Sequence, residues 1–330
     1  MPTREKMEKV TKCDLIARHI ALRRPSLLSQ TMDSVPFAFV DFLCATLKKE
    51  DLGTLQKIGE PWTSTVATHY SRRREFDVHL VVNSEGTEVG VAVDWFLNFE
   101  NVEFSSNDRI RHIWVRKPFL SRRRALPEKM PMERFRTKVL PVLNSLADAY
   151  DLDISSCHQY RLLTDTLLSG LRAPALKIRT GCFGGNCIEF IERQIRIGRL
   201  EQLQLYTTEW PDSIKVALLT FLRSPNFRKL DLEGTNLTVD LDMLTCVVER
   251  FLKRDLRKDT LLQGMPSEET KDIHRALESG DTLPLSGRLL EQAIRRASSE
   301  GIYWVKPGSE SLHAWFPSPG RVKIYQRTSL

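Results

Sequence analysis

The stretch Phe227–Leu237, FRKLDLEGTNL, places apolar residues at its first, fourth, sixth and eleventh positions, with Thr235 at the ninth. Neither the two-residue period of a strand nor the 3.6-residue period of a helix accounts for that spacing over its whole length. The pattern recurs. Leu200, Leu203 and Leu205 stand 27 residues before Phe227, Leu230 and Leu232, and Ala173, Leu176 and Ile178 stand 27 residues earlier again. A looser copy, Ala149, Leu152 and Ile154, lies 24 residues upstream of the last.

A period of that size falls in the leucine-rich range of roughly 20–29 residues. Each unit then supplies one short strand, whose alternate side chains enter a shared core, and a helix that covers it. The intervening segments suit this demand. CIEFIERQIRIGR carries Ile188, Ile191 and Ile195 at helical spacing, and DSIKVALLTFLRSP carries Ile214, Leu218, Leu219 and Leu222. Pro211 suits a helix start, and Pro225 follows a helix end. DLDMLTCVVERFLKR repeats the theme with Leu244, Val247, Val248 and Phe251.

The 330 residues suffice for two or three domains. With 41% apolar and 28% charged residues, a packed globular protein is expected. The net charge of +7 is unevenly spread: residues 1–31 carry +4 and residues 106–138 carry +8, so the remainder is net acidic. The six cysteines show no pairing pattern, and no segment approaches the ~18 consecutive apolar residues of a membrane span. The expectation is an intracellular, reduced protein that does not enter a membrane. Residues 1–31 read as a poorly ordered basic extension.

After that extension comes VPFAFVDFLCATLKKEDLGTLQKIGEPWTSTV. Pro36 is placed to open a helix whose apolar face is Phe39, Val40, Leu43 and Leu47. Leu52, Leu55 and Ile58 form a second short amphipathic stretch before Trp62, and STVATHYSRRREF supplies a third piece. Three short helices within about 40 residues bury little core by themselves and call for a partner.

The run resembles an F-box. Val35 and Pro36 stand for its Leu-Pro, Leu43 and Leu47 for the first-helix anchors, Asp51 and Leu52 for its Asp-Leu, Leu55 and Ile58 for the next apolar pair, and Trp62 for its Trp. The spacing from Val35 to Trp62 is 27. More narrowly, MDSVPFAFVDFLCATL and WPDSIKVALLTFLRSPNFRKLDLEGTNL resemble the expanded F-box-like family of nematodes. The departures are Val35 for the initial Leu, Gly59 where a Cys is common, and Glu60-Pro61 just before Trp62. The resemblance implies a substrate adaptor: the F-box binds a Skp-type adaptor of a cullin-RING ubiquitin ligase, and the leucine-rich part holds an unknown target. It assigns adaptor binding to Val35, Pro36, Phe39, Val40, Leu43, Leu47, Leu52, Leu55, Ile58 and Trp62.

Between these parts, FDVHLVVNSEGTEVGVAVDWF reads as two strands around an SEGT turn, and RIRHIWVRKP adds a third. PFLSRRRALPEK reads as an exposed basic loop, and PMERFRTKVLPVLNSLADAY returns to helix. In the tail, LPLSGRLLEQAIRRASSEG reads as a helix, followed by three short strands broken by Pro-Gly turns. The expected organisation is a mixed α+β and α/β, solenoid-like chain. It comprises an extension at 1–31, a three-helix F-box at 32–75, a small β-rich region at 76–131, leucine-rich-like βα repeats at 132–259, and a helix and β cap at 260–330.

No sequence pattern for catalysis stands out. GCFGGN lacks the Lys-Ser/Thr of a phosphate-binding loop, and Cys182 and Cys187 lack further ligands at zinc spacing. The reading is a non-enzyme with no catalytic residue, metal or cofactor. Two alternatives stay open: a leucine-rich scaffold with a decayed F-box, and a nucleic-acid binder using the basic segment 106–138 with Trp114 and Phe119, the less favoured of the two. The side chains alternating outward from the strand slots, Lys177, Arg179, Gln204, Tyr206, Asp231 and Glu233, are the candidates to face a target.

Overall fold

The protein's structure is a computed structural model, and it describes residues 35–47, 49–57, 62–83, 86–116, 128–154, 161–181, 184–285, 289, 291–295, 301–306, 310–318 and 320–328. Residues 1–31, Ile58, Cys182 and the greater part of the PFLSRRRALPEK stretch lie outside the described residues. The chain divides into two compact units, one of Met1–Phe76 with Glu103–Ile110 and the other of Asp77–Val102 with Arg111–Leu330.

In the first unit, α1 (Phe37–Thr46), α2 (Lys49–Leu55) and α3 (Thr63–Arg72) enclose a small core of Val40, Cys44, Leu52, Leu55 and Val66. Val35, Leu47 and Trp62 pack against it, half-buried. The last carbonyls of a helix have no partner within it and need one elsewhere. Arg73 supplies it, donating to the carbonyls of Cys44 (3.0 Å), Ala45 (3.1 Å) and Leu47 at the end of α1. Arg109 adds a bond to Ala45 O at 2.7 Å. Arg74 grips Asp108 through two bonds, Nε to Oδ1 at 2.9 Å and Nη2 to Oδ2 at 2.7 Å, the strong fork geometry of a guanidinium and a carboxylate. Burial raises the Asp108 pKa, but the Arg74 and Ser105 hydrogen bonds outweigh it and hold the group below the ordinary carboxylate range.

The second unit is a mixed α/β structure around a large sheet. Its strands are β1 (Glu75–Val82), β2 (Glu88–Val93), β3 (Leu97–Asn98), β4 (Arg109–Arg116), β5 (Lys129–Pro131), β6 (Tyr150–Ile154), β7 (Ala175–Thr180), β8 (Gln202–Leu205), β9 (Lys229–Asp231), β10 (Thr238–Val239), β11 (Leu261–Pro266), β12 (Ala293–Arg295), β13 (Gly301–Val305), β14 (Glu310–Ser318) and β15 (Arg321–Thr328). Among the described residues they join in the order β12-β13-β14-β15-β11-β9-β8-β7-β6-β4-β1-β2-β3, with β10 beside β11 and β5 beside β2. The run β4, β6, β7, β8, β9, β11 is parallel throughout and follows chain order without reversal. A doubly wound sheet would reverse at a switch point. Both ends are antiparallel: β1 with β2, and β11 with β15.

The helices that cover the parallel run are α6 (Arg161–Gly170), α7 (Gly185–Ile197), α8 (Ile214–Arg223) and α9 (Leu241–Leu252), each packed on the next. They follow α4 (Met132–Arg134) and α5 (Leu140–Leu146), which are joined by a π-helical turn just before Pro141, a residue that cannot donate to the helix ladder. Side-chain amides tie successive units together. Asn144 Nδ2 donates to Gly170 O (3.0 Å), Asn226 Nδ2 to Gly198 O (2.5 Å), and Asn236 Nδ2 to Trp210 O (2.7 Å). The spacing in Phe227–Leu237 has its cause here: Phe227, Leu230, Leu232, Thr235 and Leu237 are all buried, and Gly234, with φ of 78°, turns the chain after β9.

Four expectations need correction. The repeats align Leu152 with Ile178 and Ile178 with Leu203, a two-residue slip from the register read off the sequence. Such a slip keeps every side chain on its own face, so hydrophobic pattern alone does not detect it. An irregularity opposite Tyr150–Asp151 lets Ala175 and Leu176 both be buried. The strands expected as a separate region at 76–131 continue the same sheet, because β4 pairs with β6. Within the expected tail helix at 283–301, Leu289 and Glu291 are helical but Ala293–Arg295 form β12, paired with β13, and a further helix lies upstream at α10 (Glu268–Ser279). Val40, Leu52 and Leu55, assigned to adaptor binding, are buried in the core of their own unit and hold it together.

Candidate functional site

Parallel sheets are ordinarily covered on both faces. Among the described residues one face of β4 to β9 is left open, and it forms a groove of about 250 Å³. Alternation decides which side chains reach it. Tyr150, Leu152, Ile154, Ile178, Leu203 and Leu205 point into the core, leaving their neighbours on the open face. Pairing aligns these in two rungs. One runs His112, Asp151, Lys177, Gln202, Lys229, and the other runs Trp114, Asp153, Arg179, Gln204, Asp231.

The first rung is a chain of charges. Asp77 Oδ1 lies 2.7 Å from His112 Nδ1, His112 Nε2 lies 3.3 Å from Asp151 Oδ2, and Lys177 Nζ lies 3.0 Å from that same oxygen. The Asp151 hydrogen bond, joined by that of Asp77, raises the His112 pKa above the ordinary imidazole value, although burial opposes it. Burial raises the Asp151 pKa, but the His112 and Lys177 bonds outweigh it and hold the carboxyl low. In the second rung Arg179 Nη1 lies 3.6 Å from Asp153 Oδ2, and burial leaves the Asp153 pKa raised despite Arg179 and Arg116.

Depth separates the signs. The Lys177 and Arg179 side chains are 47% and 55% exposed, whereas their partners Asp151 and Asp153 are 19% and 14% exposed. The carboxylates form the floor, and the cations stand above them.

At the β1 end the groove meets an aromatic cluster. The Trp114 and His79 rings are stacked with centroids 6.3 Å apart, and Trp95 lies over His79 at 3.7 Å. The Arg116 guanidinium sits 4.1 Å from the Trp114 ring centroid and 5.0 Å from that of Trp95. Burial and the nearby Arg116 push the His79 pKa down to about 4, so the ring is neutral at pH 7. Among the described residues neither of its nitrogens has a hydrogen-bond partner. Trp95 is aimed by the tight turn from β2 to β3, in which Asp94 and Trp95 both have positive φ (49° and 71°) and Phe96 N donates to Val93 O. That turn ordinarily takes Asn-Gly. Asp94 secures it by accepting from Asp77 N at 2.9 Å.

The structure places Lys177, Arg179 and Gln204 together on the groove. Asp231 is buried: its carboxylate pairs with Lys229 at 3.1 Å and accepts from Glu233 N. Tyr206 lies past the end of β8, with its hydroxyl donating to Ile154 O and its ring packed at Gly181. Glu233, past the end of β9, accepts from Gln263 and pairs with Arg321. Sequence reasoning missed His112, Asp151, Asp153, Trp114 and Trp95 as parts of this face. The alternation in YDLDI was a usable signal for the two aspartates, once that strand is placed in the same sheet.

In the first unit, Pro36 and Phe39 are exposed and Leu43 is half-buried. Phe37, Phe39 and Phe42 on α1 are 69%, 53% and 68% exposed. Within the basic segment 106–138, each described arginine engages protein groups: Arg109 the Ala45 carbonyl, Arg111 Asp77, Arg116 the two indoles, Arg134 Glu100 and Arg136 Glu133. Among the described residues, no cluster of His, Cys, Asp and Glu is placed to hold a metal ion, and no helix is long and apolar enough to cross a membrane. No protein-family model matches the chain, and it has no significant match among curated proteins or solved structures.

Proposed function

We propose that the protein is a substrate-recognition adaptor of a cullin-RING ubiquitin ligase, with an F-box-like first unit that binds a Skp-type adaptor and a leucine-rich-like βα array that binds the target. The observation that carries this reading is α1. Its inner face packs Val40 and Cys44, while Phe37, Phe39 and Phe42 face solvent from a helical unit with a core of five residues. Large aromatics exposed on a helix of so small a unit suit an interaction site, and a helix offering anchors at close spacing suits a partner groove. The F-box resemblance of residues 35–62 names the class of partner. On this reading the contact surface is Pro36, Phe37, Phe39, Phe42 and Leu43, while the buried residues of the motif hold α1 in place.

The array supports the second half of the reading. Parallel strands in chain order, with helices on one side and a polar face open on the other, give an extended surface for a target. The protein acts by binding, within a reduced intracellular compartment.

The test is capture of a purified Skp-type adaptor by the full chain and by its Phe39→Ala/Phe42→Ala variant. Both side chains are exposed, so the variant is expected to fold. Capture by the native chain, lost at least tenfold in the variant, supports the reading. Absence of capture by the native chain rejects it and leaves a scaffold.

A further inference from the structure

We propose that the open sheet face takes an extended acidic peptide segment that carries one large apolar residue about four positions from its acidic group. This rests on the reading of that face as the target site and specifies the chemistry of the target.

The acidic preference follows from the depth of the charges. A segment approaching from solvent meets Lys177 and Arg179 before their aspartates, which are satisfied from above by those same cations. A ligand carboxylate or phosphate bridges the two ammonium and guanidinium groups without displacing a buried pair, whereas a ligand cation would have to reach the floor past them. Arg116 and Lys229, on the same face, add further positive groups.

The apolar residue follows from the hairpin tip beside the groove. Trp95, Phe96 and Leu97 are consecutive exposed apolar residues, and the Trp95 ring is fixed over His79 and Arg116 on the same face. Two successive non-glycine residues with positive φ are strained, and such strain concentrates at binding sites. Glycine at Trp95 would remove part of that strain, yet tryptophan stands there. Indole side chains are also enriched among the energetic anchors of protein interfaces.

Spacing joins the two features. Trp95 lies above β1, and Arg179 stands on β7, three strands away through β4 and β6. At about 4.8 Å per strand this is roughly 14 Å, which an extended chain of about 3.4 Å per residue spans in about four residues. Beyond the acidic group, the polar backbone of a continuing segment meets Gln202 and Gln204 on β8. The aromatic stacks do not favour nucleobases: the rings of Trp95, His79 and Trp114 already cover one another or Arg116.

The experiment uses the full chain and fluorescein-labelled Gly/Ser peptides of about twelve residues, with one Leu and, four positions on, three Glu, made in both sequence orders and read by anisotropy. Control peptides replace Glu with Gln, Glu with Lys, or Leu with Gly, and a single-stranded oligonucleotide of similar length is the final probe. Saturable binding of the Leu/Glu peptide in one order is expected, at least tenfold tighter than any control. It is expected to fall at least tenfold in Lys177→Gln/Arg179→Gln and in Trp95→Gly. The second variant keeps the inference testable if the first fails to fold, since glycine suits the backbone at that position. No saturable binding in either order, preference for the Lys peptide or the oligonucleotide, or undiminished binding by Trp95→Gly overturns the inference. Capture of the Skp-type adaptor is read separately on the same chain. Capture without peptide binding rejects this inference alone, and peptide binding without capture rejects the ligase reading alone.

Discussion

His112 Nε2 stands 3.3 Å from Asp151 Oδ2, on neighbouring parallel strands that pair these two residues directly. The imidazole is thereby favoured in its charged form, and Asp77 at its other nitrogen acts in the same sense. A group whose folded pKa is raised contributes stability below its unfolded pKa and loses it as pH rises through the folded value. Asp151, whose pKa is lowered, contributes above its unfolded value and loses it on acidification. The pair is therefore expected to stabilise the fold most between about pH 4 and 6.5. Asp151→Asn removes the largest cause of the His112 shift, so the His112 titration midpoint should move down. Histidine NMR titration of the two proteins checks this, and an unchanged midpoint would reject the coupling.

Gln194 is wholly buried in α7 and bonds to both ends of one short segment, accepting from Ala175 N at 2.7 Å and donating to Ala173 O at 3.1 Å. It sets the height at which β7 enters the sheet. Gln194→Leu fills the same space but leaves the buried Ala175 N and the half-buried Ala173 O without this partner, at about 1–3 kcal/mol each. The expected loss is about 2–4 kcal/mol in urea unfolding. A loss below about 0.5 kcal/mol would show that the backbone finds other partners.

A close approach at Gly181 couples two strands. A Cβ there would lie 2.6 Å from Tyr206 Cε2 and 2.9 Å from Thr207 Cγ2. The Tyr206 ring cannot yield freely, because its hydroxyl donates to Ile154 O on β6. Gly181→Ala is expected to cost about 1–3 kcal/mol, as overpacking does. Adding Tyr206→Ala should then cost much less than it does in the native background, since the clash is already relieved. Strict additivity in the double-mutant cycle would mean that the two residues do not press on each other.

Much of this arrangement was legible in sequence where periodicity is strong. Ile188, Ile191 and Ile195, then Leu218 and Leu222, then Leu244, Val247 and Val248 mark helices that the structure contains. The register was not legible, because a slip of two residues preserves the hydrophobic pattern between Leu176 and Ile178. The helix at Glu268–Ser279 carried both kinds of signal, Ser267 and Gly280 at its ends and Ile273, Ala276 and Leu277 at helical spacing between, but its largely polar body gave no apolar run to draw the eye. Arg73 and Arg74 stand at the end of the piece STVATHYSRRREF with no role assigned by the sequence, yet one caps α1 and the other grips Asp108. Both partners are distant in sequence, and single-sequence pattern carries no information about them. The open face was half legible: alternation picks Lys177, Arg179 and Gln204, but burial of Asp231 depends on Lys229 and on the chain that turns past Glu233.

The turn at Asp94–Trp95 offers the sharpest test of what that tryptophan contributes. Trp95→Ala removes the stacking on His79 and the contact with Arg116, about 0.5–1.5 kcal/mol and about 0.5–1 kcal/mol, while the φ of 71° still penalises a side chain. Trp95→Gly removes the same contacts but relieves about 1–2 kcal/mol of backbone strain. Glycine also gives the unfolded chain more freedom, at about 0.4–1 kcal/mol against it. Relief of strain outweighs that added freedom, so the glycine variant is expected to be about 0.5–1 kcal/mol more stable than the alanine variant. At an ordinary strand or helix position the order is the reverse. Chemical unfolding of the two variants decides between them. Alanine above glycine would mean that the turn relaxes out of positive φ once the indole is gone, and that the tryptophan itself holds the strained backbone in place.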